Sequence, residues 1–166
     1  MVPAPSNFTL RHHLNPGDLG AIVRLHGTLY AREYGFDSTF EAYVAGPLAD
    51  FVLVPSTRNR LWIAERGADI IGCIAIVGIS PNDAQLRWFL VDPSVRGLGL
   101  GKLLLREASS FSERCGYESV FLWTVSALTA AAKLYRNGGF VKVEEKAGRQ
   151  WGVEVVEERY VLRRKV

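Results

Sequence analysis

A mixed α/β (α+β) fold, with a mostly antiparallel central sheet of about seven strands flanked by four helices, is what this 166-residue sequence predicts. Three observations lead to it. Apolar patterning gives the order β, α, α, β, β, β, α, β, α, β, β, a meander of strands followed by strands alternating with helices. The segment SVFLWTV is nearly continuous in apolar residues, the pattern of a strand covered on both faces. Hydrophobic residues make up 48% of the chain and charged residues 22%, the balance of a globular domain whose core needs no disulfide or metal staple. With no internal repeat or linker-like tract, residues 1–166 read as a single domain.

A short strand around Phe8 to Arg11 comes first. Asn15-Pro16-Gly17-Asp18 then supplies turn and cap chemistry for a helix whose apolar side carries Leu19, Ile22, Val23, Leu25, His26 and Leu29. A second helix is expected from an Asp37 or Ser38 cap, with Phe40, Tyr43, Val44 and Leu48 on one face and an interruption at Gly46-Pro47. LWIAER, IIGCIAIVG and AQLRWFLV, separated by turn-like Gly67-Ala68-Asp69 and Ser80-Pro81-Asn82-Asp83, read as an antiparallel meander. A glycine-rich RGLGLGK opens a helix with Leu104, Ala108, Phe111 and Cys115 on one stripe, ended by Gly116. After SVFLWTV, the Ala-rich LTAAAKLYRN is a short helix closed by Gly138-Gly139, and strands around Phe140 to Glu144 and Val153 to Leu162 finish the chain.

The net charge of +3 and the absence of a basic run longer than Arg163-Arg164-Lys165 argue against a nucleic-acid partner. No basic-then-apolar leader begins the sequence and no apolar stretch approaches a membrane span, so neither secretion nor membrane association is expected. Cys73 and Cys115 lack CxxC or Cys/His spacing and read as reduced thiols of a cytoplasmic protein. His12, His13 and His26 have no metal spacing and read as structural, so no metal is expected.

Glycine is the compositional outlier, 16 residues, several crowded into FLVDPSVRGLGLGKLLL. A strand, a glycine turn and a helix start in succession bind phosphate well, because backbone N–H groups at a helix start lack partners and the macrodipole is positive there. A P-loop with Lys102 as its lysine would need Gly at Arg96 and Ser or Thr at Leu103, and both positions fail. A dinucleotide fingerprint from Gly97 or Gly99 would put its last glycine at Lys102 or Leu104, and also fails. The pattern Arg-x-x-Gly-x-Gly is met by Arg96, Gly99 and Gly101.

With that pattern, and with AAAKLYRNGGF downstream placing Ala131, Leu134, Tyr135, Gly139 and Phe140 in register with A-x-x-LY-x-x-x-GF, the sequence resembles the GNAT superfamily of acetyl-CoA-dependent N-acetyltransferases. LHGTLYAREYGFDSTFEAYVAGPLADF, FLWTVSALTAAAKLYRNGGF and WGVEVVEERYVL further resemble the acetyltransferase half of proteins that join a MarR-type DNA-binding domain to a GNAT domain. No winged-helix segment is present, so the resemblance carries acetyl transfer and not DNA binding. The family's usual Asn seven residues before the tyrosine is Leu128 here.

The resemblance implies acetyl-CoA as acyl donor and an amine as acceptor, and leaves a homodimer open. Tyr135 would be the general acid that protonates the leaving thiolate. Val91, flanked by Leu90, would offer its backbone to the pantetheine arm and thioester carbonyl. Arg96, Gly97, Leu98, Gly99, Leu100, Gly101 and Lys102 would hold the pyrophosphate, with Ala131, Lys133 and Tyr135 of the following helix beside the coenzyme. The fourth strand has no carboxylate, so Glu33 at the end of the first helix is the candidate base. Tyr30, Tyr34, Phe36, Trp88, Trp123 and Trp151 are candidate walls for the acceptor. A non-catalytic acyl-CoA sensor and a protein lysine or N-terminal acetyltransferase are the competing readings.

Overall fold

The computed structural model describes residues 7–165. In chain order these form β1 (Thr9–Arg11), α1 (Asp18–Tyr34), α2 (Ser38–Leu53), β2 (Arg60–Arg66), β3 (Asp69–Gly78), β4 (Asp83–Val91), a 3-10 turn (Pro93–Val95), α3 (Leu100–Arg114), β5 (Ser119–Val125), α4 (Thr129–Asn137), β6 (Val141–Gln150) and β7 (Val153–Arg163). The seven strands make one sheet in the order β1-β2-β3-β4-β5-β7-β6. Every neighbouring pair is antiparallel except β4 and β5, which are parallel.

Two apolar layers clamp the sheet. Leu100, Leu104, Leu105, Ala108 and Phe111 of α3, with Ala132 and Tyr135 of α4, pack on one face against Ile74, Ile76, Leu86, Val120 and Leu122. Ile22 and Leu29 of α1, with Phe40, Val44 and Leu48 of α2, cover the other face over Leu61, Ile63, Cys73 and Ala75. At its start α1 is tied to the sheet by Arg11, whose guanidinium meets Asp18 at 2.7 Å and Glu65 at 2.6 Å.

Three expectations need correction. α2 is not interrupted at Gly46-Pro47: it runs to Leu53, because the 40–44–48 stripe spans the proline and Leu48 is fully buried. The missing proline N–H frees only the carbonyl of Tyr43, a residue on the exposed side of the helix. β5 is not equally covered on both faces. Val120, Leu122 and Thr124 are buried, whereas Phe121 lies half-buried under Arg159 and Trp123 faces a cleft. β6 extends to Gln150 rather than ending near Glu144, since hydrogen bonding to β7 continues from Val141↔Val161 to Gln150↔Val153 and does not depend on burial of β6 side chains, all of which are exposed.

Two irregularities of β4 shape the middle of the sheet. Between Cys73↔Leu90 and Ala75↔Arg87 the strand takes one residue more than β3, a bulge centred on Trp88, whose φ is 49°. The Cys73 thiol donates to the Trp88 carbonyl at 3.1 Å. The bulge turns the strand over: Ala84 and Leu86 face α3, whereas Trp88 and Leu90 face α1 and α2. On its other edge β4 pairs with β5 at only three positions, Asp83↔Ser119, Ala84↔Val120 and Gln85↔Phe121. Beyond Gln85 the two strands part.

Candidate functional site

The parting of β4 and β5 opens a cleft of about 650 Å³ through the middle of the sheet. Its walls come from β4 (Gln85 to Val91), β5 (Trp123 to Val125), the start of α4, the end of α1, α2 and Trp151. A protein sheet normally pairs its backbone groups, so an unpaired edge inside one is a place where an extended, amide-bearing ligand can hydrogen-bond. The N–H of Asp92 donates to the Ile71 carbonyl at 2.8 Å on the β3 side. By strand alternation the N–H of Val91 points the opposite way, into the gap.

At one end of the cleft lies the glycine loop. Gly97 and Gly99 have φ of 78° and 85°, left-handed values that other residues adopt only with strain, and an added Cβ at either would meet nothing within 4 Å. Gly99 caps α3 with no side-chain hydrogen bond, and no acidic residue sits in the first turn, so the backbone donors there face open space. Gly101 serves a different purpose: a Cβ there would come within 3.0 Å of Leu134, so its small size lets α3 approach α4.

Tyr135 projects from α4 to the middle of the cleft and is 5% exposed. Its ring packs against Phe89, Tyr160 and Phe140, with centroids 5.9, 5.8 and 6.0 Å away. Burial, with the Tyr30 and Tyr160 phenols nearby, pushes its pKa well above that of a free tyrosine. The phenol therefore keeps its proton throughout the physiological range.

The other end of the cleft is aromatic. Tyr30, Tyr34, Phe36, Phe40, Tyr43 and Trp151 pack against one another, mostly tilted or edge to face, with centroid separations from 4.7 to 6.1 Å. Trp88 and Trp123 complete this wall. His26 reaches the same cleft. Its Nδ1 bonds the Ile22 carbonyl at 2.8 Å, and burial lowers its pKa to about 4, so it is a neutral imidazole.

Of the residues expected at the site, Glu33, Leu90, Val91, Arg96, Gly97, Gly99, Leu100, Gly101, Lys102, Ala131 and Tyr135 all line this one cleft. Leu98, 67% exposed, and Lys133 lie outside its walls. The carboxylate of Glu33 is held by Arg96, with Nη1–Oε1 at 2.9 Å and Nη2–Oε2 at 3.2 Å. Sequence reasoning overlooked Arg87 and Glu157, both in the cleft wall. The available signal for Arg87 was a lone charge within the apolar strand LRWFLV. Glu157 had none, because only the pairing Val125↔Glu157 brings it to the end of β5. Among the described residues, no group of three or more His, Cys, Asp or Glu is placed to hold a metal, and no helix is long and apolar enough to cross a membrane.

Residues 57–142 match the family described as acetyltransferase (GNAT) domain. The chain is 31% identical over 144 residues to an uncharacterized N-acetyltransferase of Schizosaccharomyces pombe, covering 84% of this chain and 86% of that protein. It is 33% identical over 117 residues to N-acetyltransferase family 8 member 3 of Rattus norvegicus, where the match takes in 64% of this chain and only about half, 51%, of the rat protein. Among solved structures, one from Salmonella typhimurium, described as an acetyltransferase with acetyl-CoA, superposes with a TM-score of 0.76 at 17% identity, covering 95% of this chain and 94% of the other.

Proposed function

The chain belongs to the GNAT family of acetyl-CoA-dependent acetyltransferases, and from that premise we propose that it acetylates a primary amine by direct attack, with Tyr135 as general acid. The observation that carries the reading is the continuity of a single cleft from the glycine loop, past Tyr135, to the aromatic end. A pyrophosphate at Arg96–Lys102 would lay the pantetheine arm along the unpaired edge of β4 and bring the thioester to the Val91 N–H and the Tyr135 phenol. The acceptor would enter from the aromatic side.

The amine nitrogen attacks the thioester carbon and its lone pair forms the C–N bond. The carbonyl oxygen takes up the negative charge, for which the Val91 N–H is the nearest backbone donor on the β4 edge. Collapse of this intermediate breaks the C–S bond, and the departing thiolate takes the proton of Tyr135. The nitrogen loses its own proton to a carboxylate, directly or through water, and the phenolate is then reprotonated. Glu33 is our candidate for that carboxylate. Its present partner, Arg96, belongs to the phosphate loop, so arrival of a pyrophosphate would compete for Arg96 and free Glu33.

Calorimetric titration with acetyl-CoA tests the donor site, and release of CoA thiol that depends on an added amine tests transfer. Saturable binding with amine-dependent release is expected. Binding without release over a broad panel of amines and peptides would favour an acyl-CoA sensor instead, and absence of binding would overturn both.

A further inference from the structure

We propose that the acceptor amine also carries a carboxylate, and that Arg87 holds it. The inference rests on the acetyltransferase reading and names the acceptor class for the same cleft.

Arg87 is half-buried in the β4 wall, on the α1/α2 side of the sheet. The bulge at Trp88 puts two consecutive side chains on that face. The guanidinium carbon of Arg87 lies 5.2 Å from the Trp88 ring centroid and 6.0 Å from that of Tyr43. Its hydrogen bond to a side chain is a long one, 3.4 Å to the Gln85 amide oxygen. Arg87 enters no ion pair among the described residues. Burial lowers its pKa from the ordinary arginine value, and the guanidinium is left with two aromatic faces in place of a counter-charge.

The position of Arg87 separates it from the coenzyme's phosphates. From Arg87 to Val91 the strand runs roughly 13 Å toward the loop, where Arg96 and Lys102 already supply cations. A single guanidinium with no second cation beside it suits a planar monoanion, which its fork of donors can engage in a bidentate pair. The neighbouring rings of Tyr43, Phe40 and Trp151 suit an apolar body. Amino acids with apolar side chains are the simplest molecules that combine amine, carboxylate and such a body.

The test compares L-leucine, L-methionine and L-phenylalanine with their carboxamides as acceptors, at matched concentrations of neutral amine. The wild-type protein should use the acids about 30-fold better in kcat/KM. Arg87→Gln should bring each acid within about threefold of its amide, mainly by raising KM, and Arg87→Lys should retain part of the preference. Acetyl-CoA titration and thermal melting report whether each variant is folded. Equal use of acids and amides by the wild type, a preference for amides, or no use or binding of the acids by a protein that binds acetyl-CoA would overturn this inference alone. Failure of the wild type to bind acetyl-CoA would overturn the acetyltransferase reading beneath it.

Discussion

Arg96 and Glu33 form a two-pronged ion pair, at 2.9 and 3.2 Å, between the phosphate loop and the end of α1. In the proposed reaction the coenzyme site and the acceptor wall would therefore share one charge pair. Arg96→Ala should weaken acetyl-CoA binding about tenfold, because a phosphate loses a cationic partner. Glu33→Gln should instead tighten binding a few-fold, since Arg96 no longer has to leave a carboxylate, while transfer slows. Calorimetry with both variants checks the opposite signs.

Tyr135→Phe keeps the ring contacts with Phe89, Phe140 and Tyr160 and removes only the hydroxyl. Turnover is expected to fall about 100-fold or more, with acetyl-CoA affinity within about twofold of wild type. Steady-state kinetics beside a titration separates the two quantities, and equal losses in both would contradict the acid role.

The pH profile is set by the direction of the same phenol's shift. Because burial raises the pKa of Tyr135, the acid form persists as pH rises. The acceptor must lose a proton, so kcat/KM should climb with pH and show no falling limb below about pH 10. A descending limb between neutrality and that value would count against a tyrosine acid.

Gly99→Ala places a side chain at φ 85° in otherwise open space. The strain should cost about 1 kcal/mol of stability, and realignment of the N–H groups at the start of α3 should weaken acetyl-CoA roughly tenfold. Denaturant melts and titration on one preparation measure both.

Acid should loosen the start of α1. The Arg11 guanidinium holds the carboxyls of Asp18 and Glu65 below their ordinary values. Their folded-state pKa values are lowered, so the stabilisation is complete above the unfolded values near 4 and is lost as pH falls through the folded ones. Arg11→Met should cost about 1 kcal/mol at neutral pH and flatten the acid side of the stability curve, as chemical denaturation across pH would record.

The place of the glycine loop in the cleft was legible because its pattern is local. Arg96, Gly99 and Gly101 lie within six residues, and each alternative fingerprint fails at a named position. The position of Tyr135 in the cleft was legible through its fixed distance from Gly139 and Phe140, while its role as acid rests on the proposed reaction. The acceptor end was only partly so. Its aromatic residues could be named, but Arg87 and Glu157 reach the cleft wall through events remote in sequence: the extra residue that turns β4 over, and the β7 pairing that carries Glu157 to Val125. Pro47 misled for the same reason, since the burial of Leu48 is decided by the sheet under α2 rather than by the helix itself.

The three-rung contact between β4 and β5 makes the sheet a ruler. Leu86 to Val91 leaves six residues of free strand edge, five steps or roughly 16 Å, between the point where the strands separate and the glycine loop. In the proposed reaction, an acyl donor with a shortened arm, such as the acetyl thioester of N-acetylcysteamine, would reach the reactive centre but would no longer be measured from the far end. It would arrive without a fixed stopping point, and its reaction would lose alignment as well as affinity.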